Sequence, residues 1–212
     1  MVTVREPVLH PVPIAELRPT QITVGMREVR AKQKSWVQQD KKKKAEFLGR
    51  HMIPVIRGPK ERLYVIDHHH LSLALHNEGV ESVLVTTVVD LRGLAEDEFW
   101  VHLDNRNWVH PYDASGRRRD FDDIPSKISG LKDDPFRSLA GELRRIGGFA
   151  KDTTPFSEFL WADFMRRRIG RSVAKDDFPK ALKEAMKLAK SQEASYLPGW
   201  CGPHVDHHIN NG

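Results

Sequence analysis

The stretch from Met52 to Leu75 constrains this chain more than any other. Met52-Ile53-Pro54-Val55-Ile56 and Leu63-Tyr64-Val65-Ile66 are short apolar runs, and Arg57-Gly58-Pro59-Lys60-Glu61 between them carries the punctuation of a turn. The second run leads directly into Asp67-His68-His69-His70, after which Leu71, Leu73, Ala74 and Leu75 open a helix that stops near Asn77-Glu78-Gly79. Where a strand ends in a polar turn that starts a helix, the first N–H groups of the helix lack internal partners and the dipole favours an anion. Phosphate suits such a turn. Asp67 can cap the helix or hold a metal-bound phosphate, and imidazoles there can donate hydrogen bonds or exchange protons near neutral pH.

The flanking sequence reads as an α+β chain, with a β-rich first half and a helical second half. Val8–Pro13 alternates apolar residues with prolines, as a short edge strand does, and Leu17–Gln21 reads as a turn. Thr23–Gln39 has the spacing of a surface helix, which the Lys41–Lys44 run extends or closes. Such a run is by default a solvated face. Ser82–Val89 is β-branched and predicts a third core strand, followed by an amphipathic helix over 95–107. Residues 108–130 are polar and turn-rich, the pattern of a loop insertion. Helices are predicted over 135–146, 155–169 and 177–191, the second with Pro155 in its first turn and Thr153 or Thr154 as cap. Leu139, Leu143, Ile146, Phe156, Phe159, Leu160 and Phe164 fall at core-stripe spacing. The expected organisation is a phosphate-binding domain over 1–107, the insertion, a helical subdomain over 131–195 and a tail over 196–212.

Three readings of the Asp-His-His-His turn compete. In the simplest, Asp67 is a helix cap and the histidines are bystanders. In a second, Asp-His-His marks a two-metal phosphoesterase, which needs further aspartates from earlier strands; the one aspartate upstream is Asp40, inside the lysine run, so this reading fails. In the third, Pro54-Val55-Ile56, a turn, Tyr64-Val65-Ile66-Asp67-x-His-His and an apolar helix resemble the ParB/sulfiredoxin fold. Ile14-Ala15-Glu16-Leu17-Arg18-Pro19 is similar to its first box. The resemblance covers roughly residues 8–90. It implies a small mixed sheet with helices, extended here by the helical subdomain, and a turn whose backbone cradles nucleotide phosphates. Members include CTP-hydrolysing DNA-partition proteins, ATP-using sulfiredoxins and free-serine kinases. The stretches Asp133–Ala140 and Phe156–Asp163 resemble a separate family of ParB-like nucleases.

The departures from the motif matter. His68 stands where the motif has glycine, Leu71 where the common form has a phosphate-contacting arginine, and His69 where sulfiredoxins place their reactive cysteine. The lone cysteine, Cys201, lies far away, which excludes that chemistry and any internal disulfide. The segment matching the kinases' early glutamate offers Thr20-Gln21, with Glu28 further on. What the resemblance implies is nucleotide-dependent phosphate chemistry, either hydrolysis or phosphoryl transfer. Asp67, His69 and His70 would be catalytic, and Mg²⁺ with ATP or another nucleotide would be held in part by Asp67. His51, Arg57, His68 and Arg106 would bind phosphate and stand in for the absent arginine.

With 34 basic and 29 acidic side chains the chain is +5 at pH 7, and its pI near 9.3 favours phosphate-bearing partners. Arg117-Arg118-Arg119, Arg144-Arg145 and Arg166–Arg168 would form a nucleic-acid footprint if they shared a face, with Trp36 and Trp108 as stacking aromatics. Hence the alternatives: a ParB-like DNA-binding protein or nuclease, or a binding module without catalysis. No apolar run approaches a membrane span, the Met1–Pro13 segment lacks a signal-peptide core, and one cysteine suits a reducing, cytoplasmic setting. The tail Trp200–His208 has ligand-like side chains, but its spacing fits no closed zinc pattern.

Overall fold

A computed structural model of the chain describes residues 11–203. The tail histidines His204, His207 and His208, and the first part of the expected Val8–Pro13 strand, lie outside the described residues. The chain divides into two compact units, Met1–Asp133 and Asp134–Gly212, and its class is mixed α+β.

In the first unit, β1 (Val12–Pro13) pairs antiparallel with β6 (Ser82–Val83), and β3 (Thr23–Val24) pairs parallel with β8 (Lys132–Asp133). A separate four-stranded sheet holds β2 (Leu17–Pro19), β4 (Ile53–Arg57), β5 (Leu63–Val65) and β7 (Val85–Asp90), in the order β2-β5-β4-β7. The β4–β5 hairpin is the antiparallel pair that the apolar runs predict. The two outer pairings, β2 with β5 and β4 with β7, are parallel. Helices α1 (Met26–Val37), α2 (Lys41–Arg50), α3 (His69–Asn77) and α4 (Glu96–Asn105) complete the unit.

Several sequence expectations change here for identifiable reasons. Leu17–Pro19 is an edge strand rather than a turn: Leu17 is fully buried, and an edge position tolerates Pro19, which has no N–H to give. β7 is likewise an edge strand and not a core strand, with Thr86, Thr87 and Val88 exposed. The lysine run belongs to a separate helix, because Asp40 Oδ1 accepts the N–H of Lys43 at 2.9 Å and starts α2 afresh. Trp36 is buried at 8% exposure, edge-on to Phe47 at 5.9 Å, so it is no stacking platform for bases.

Two apolar clusters fill this unit. One gathers Leu17, Val24, Val29, Ile53, Val55, Val65, Leu73 and Leu75 between the sheet and α1/α3; the other joins Ile22, Ile56, Tyr64, Phe99 and Leu103 under α4. The hairpin turn is shaped by close approach at Gly58. A Cβ there would meet the Tyr64 ring at 2.6 Å and the Phe99 ring at 2.8 Å, while Lys60 and Glu61 carry the turn round in the left-handed region.

The second unit is helical: α5 (Pro135–Arg145), α6 (Ser157–Arg166), α7 (Arg171–Asp176) and α8 (Phe178–Ala189). Its core holds Phe136, Leu139, Leu143, Trp161 and Phe164, with Phe149 stacked on Trp161 at 4.3 Å. Ile146 and Leu160 are exposed, so the expected stripe is narrower than its spacing implied. Pro155 precedes α6 instead of opening it; the cap position is Phe156, in a left-handed conformation, and no side chain caps the helix. Asp134 caps α5 through the N–H of Phe136 and pairs with Arg166 at 2.5 Å while almost fully buried. Burial pushes its carboxyl upward, against the opposing pull of the Arg166 charge.

Gly58→Ala is expected to destabilise the first unit by about 1–3 kcal/mol, because two packed rings must shift to admit one methyl. Urea unfolding followed by tryptophan fluorescence measures this; an unchanged midpoint would show that the rings have room to move.

Candidate functional site

The strand register fixes which sequence-predicted residues share one end of the sheet. β5 pairs Val65 with Val55 of β4 and with Pro19 of β2. The carboxyl ends of β2 and β5 and the amino end of β4 therefore lie together, and Thr20, Asp67 and His51 follow or precede them. Arg57 lies at the other end of β4, paired with Leu63 and ion-paired with Glu61 at 3.2 Å. Four residues of extended chain separate its register from that of Asp67, about 13 Å. Arg57 is not a phosphate ligand of this turn, and that expectation is corrected. Arg106 is brought to the near end because α4 runs back along the sheet. It caps α4 and places its guanidinium 4.9 Å from the centre of the Trp108 ring. Just beyond, His110 N–H donates to Thr20 O at 2.8 Å.

Each residue of the turn has a distinct job. Asp67 is exposed, and its Oδ1 accepts the N–H of His68 at 2.6 Å. His68 has φ 65° and ψ 22°, the left-handed geometry that glycine adopts at little cost and that explains the motif's glycine here. Its Nδ1 is buried without a hydrogen-bond partner among the described residues. α3 begins immediately after, and no side chain among the described residues caps it.

His69 and His70 point inward as fasteners. His69, 4% exposed, accepts the N–H of Thr20 at Nε2 (3.1 Å), while Thr20 Oγ1 donates to Val65 O at 2.8 Å. His70 Nε2 accepts the N–H of Gly25 at 2.9 Å. A nitrogen that accepts from an amide carries no proton, so the 3.6 Å approach of His70 Nε2 to Glu28 Oε2 is not a charged pair in this tautomer. Burial lowers the His69 pKa to about 3, although the nearby Asp67 carboxylate pulls it upward. His69 is therefore neutral at physiological pH. The expectation that it shuttles protons there is corrected, and for His70 the same kind of amide bond occupies the ring nitrogen.

Other expectations are settled by charge pairing. Arg118 bonds Asp104 at 2.6 Å and Arg119 bonds Asp113 at 2.5 Å. Both arginines line a hollow of about 380 Å³ together with Glu96, Asp97, Asp120 and Asp122. Four carboxylates in one hollow repel a polyanion, so Arg117–Arg119 do not form the expected nucleic-acid footprint, though Arg117 itself is exposed. Leu71, at the position of the motif arginine, is buried among Leu17, Val24 and their neighbours. Thr20, Gly25 and His110 organise the site; the sequence marks Thr20 only by alignment with another chemistry, His110 only as a histidine flanking Trp108, and Gly25 not at all.

Among the described residues, no three His, Cys, Asp or Glu side chains gather as a metal-binding group. Mg²⁺ asks for less: it keeps several waters and is commonly held by one or two carboxylates plus substrate phosphates. Asp67, exposed and with only one oxygen engaged by the protein among the described residues, fits that demand.

Residues 10–167 match the family model described as "Putative ParB-like nuclease". The chain belongs to this family. The crystal structure of protein Atu1540 from Agrobacterium tumefaciens is similar to this ParB-like chain, with 56% sequence identity and a TM-score of 0.85 over 92% of this chain and 99% of that one. Among curated proteins there is no match. No helix among the described residues of this ParB-like chain is long and apolar enough to cross a membrane.

Because the folded state keeps His69 neutral while the unfolded chain takes up a proton below pH 6.5, this group favours folding fully above that pH. The contribution is lost as pH falls from 6.5 towards 3, by about 1.4 kcal/mol per pH unit. Urea midpoints at pH 7, 6 and 5 should drop accordingly, and His69→Gln should flatten the dependence. Parallel slopes in the two proteins would mean that another group sets acid sensitivity.

Proposed function

We propose that this protein binds the phosphate groups of a nucleotide at the Asp67–His70 turn and carries out phosphate chemistry there, with Mg²⁺ accompanying the substrate. One observation carries the reading: α3 opens behind a left-handed residue, with no side chain capping its first turn and an exposed carboxylate beside it. The first amides of a helix have no partner within it and attract anions. The buried, unpartnered Nδ1 of His68 adds a hydrogen-bonding position that a ligand would fill. In this reading Asp67 holds the ion and His68 meets the ligand. His69 and His70 hold the turn in shape, and Arg106 supplies positive charge from the same end of the sheet, where His51 also lies. Catalysis then asks for placement and charge stabilisation more than for covalent chemistry.

A second reading keeps the turn and changes the substrate to a nucleic-acid phosphodiester. The family description favours it, and the exposed Arg106 at the same end of the sheet suits either substrate.

Thermal unfolding in the presence of ATP, ADP, CTP or GTP, with and without Mg²⁺, tests the first reading. A nucleotide at 100 times its Kd should add about 2.7 kcal/mol to the stability of the wild type. Asp67→Asn keeps an oxygen for the His68 N–H and removes the charge; it should fold normally and lose most of the Mg²⁺-dependent shift. Absence of a shift with all four nucleotides would sink this reading. Mg²⁺-dependent nicking of duplex DNA, lost in Asp67→Asn, would then establish the second.

A further inference from the structure

The arginine clusters do not carry the chain's positive field. Arg145 pairs with Glu142, Arg144 with Glu158, Arg166 and Arg167 with Asp163, and Arg168 with Glu193. The largest surplus of positive charge lies instead on α1 and α2. Residues 26–51 hold nine Lys and Arg against three Asp and Glu, a net of +6 where the whole chain is +5; the remaining residues together are therefore close to neutral.

Within that helical pair, Lys32 bonds Glu28, Lys43 bonds Asp40, and Lys44 lies over the Trp36 ring. Arg30, Lys34, Lys41, Lys42 and Arg50 are all exposed and have no side-chain partner among the described residues. Arg30 and Lys34 stand one turn apart on the same face of α1. The pair also has its ends beside the turn: Gly25, which precedes α1, bonds His70, and His51, which follows α2, lies at the end of the sheet that holds Asp67.

We propose that α1 and α2 dock the phosphate backbone of duplex nucleic acid, without base recognition, through Arg30 and Lys34 on one helix and Lys41 and Lys42 on the other. Cations with no protein partner can exchange condensed counterions for phosphates, the source of sequence-independent affinity. A membrane surface shares the anionic chemistry, but helices that lie on lipid need an apolar face to bury. Here Phe47 and Leu48 of α2 pack onto the core, and Val37 is the one exposed large apolar side chain of α1 and α2. The proposal does not depend on what the turn does with its ligand.

Fluorescence anisotropy of a labelled duplex of random sequence, titrated with the full chain at 50–300 mM NaCl, tests it. The wild type should bind with an affinity that falls steeply with salt. Lys41→Gln/Lys42→Gln and Arg30→Gln/Lys34→Gln should each weaken binding about tenfold at 100 mM salt and reduce the salt slope by about two, with the slope set by phosphate contacts. The comparison variant is Lys183→Gln/Lys187→Gln, which removes the same charge from the exposed face of α8 and should change affinity less than twofold. Equal loss in all three variants, or no duplex binding at 50 mM salt, overturns the proposal. So does wild-type sedimentation with phosphatidylserine vesicles in the absence of duplex binding. All the substituted side chains are exposed, and circular dichroism verifies folding; the nucleotide-induced thermal shift of each variant shows separately whether the turn is intact.

Discussion

Two buried imidazoles accepting backbone amides hold the candidate site together. A buried polar group must be paired or it costs more than the packing around it returns. The N–H groups of Thr20 and Gly25 belong to the connection that leaves β2 and enters α1, and both are satisfied by rings from the first turn of α3. This arrangement ties three segments into one surface: the end of β2, the start of α1, and the turn after β5. It also fixes which way the turn faces, because His69 and His70 can reach inward only if Asp67 and the helix start remain outside. The desolvation that holds His69 neutral preserves its role as an acceptor, since a protonated ring could not receive the Thr20 amide.

The ParB-like membership and the turn geometry thus bear on different questions. Membership establishes ancestry and fold over most of the chain. The proposal for the turn rests on the open start of a helix beside an exposed carboxylate, and the proposal for α1 and α2 rests separately on charge. Charge counted over the whole chain conceals this division, since +5 spread evenly would mean little, whereas a surplus on two short helices means a field with a direction.

The hairpin and the helix after it were legible because local signals agreed: apolar runs of strand length, Gly58-Pro59 between them, and an apolar helix face beyond His70. The strand at Leu17–Pro19 was not, because Pro19 reads as a turn unless the position is known to be an edge. Ser82–Val89 reads as core from its β-branched residues, but one flank of β7 has no strand beside it. The sequence showed the turn between β5 and α3 but mistook the direction of its histidines, since nothing local reveals that Thr20, forty-nine residues earlier, offers an amide to His69. Arg57 failed for a related reason: being at an element's end does not say which end of the sheet that is. The lysine run was read as solvated, and Lys41, Lys42 and Lys43 are exposed.

The pairing of β3 with β8 bears on how the first unit is made. Thr23 sits beside Lys132 and Val24 beside Asp133, so one of the earliest strands waits for almost the last residues of its own unit. Parallel partners separated by such a length of chain pay their loop-closure entropy late. During synthesis, then, the β4–β5 hairpin and its helix can assemble as soon as they emerge, whereas Val24 stays without its partner until Asp133 has left the ribosome. The first unit is closed by its final step, at the boundary where the second begins.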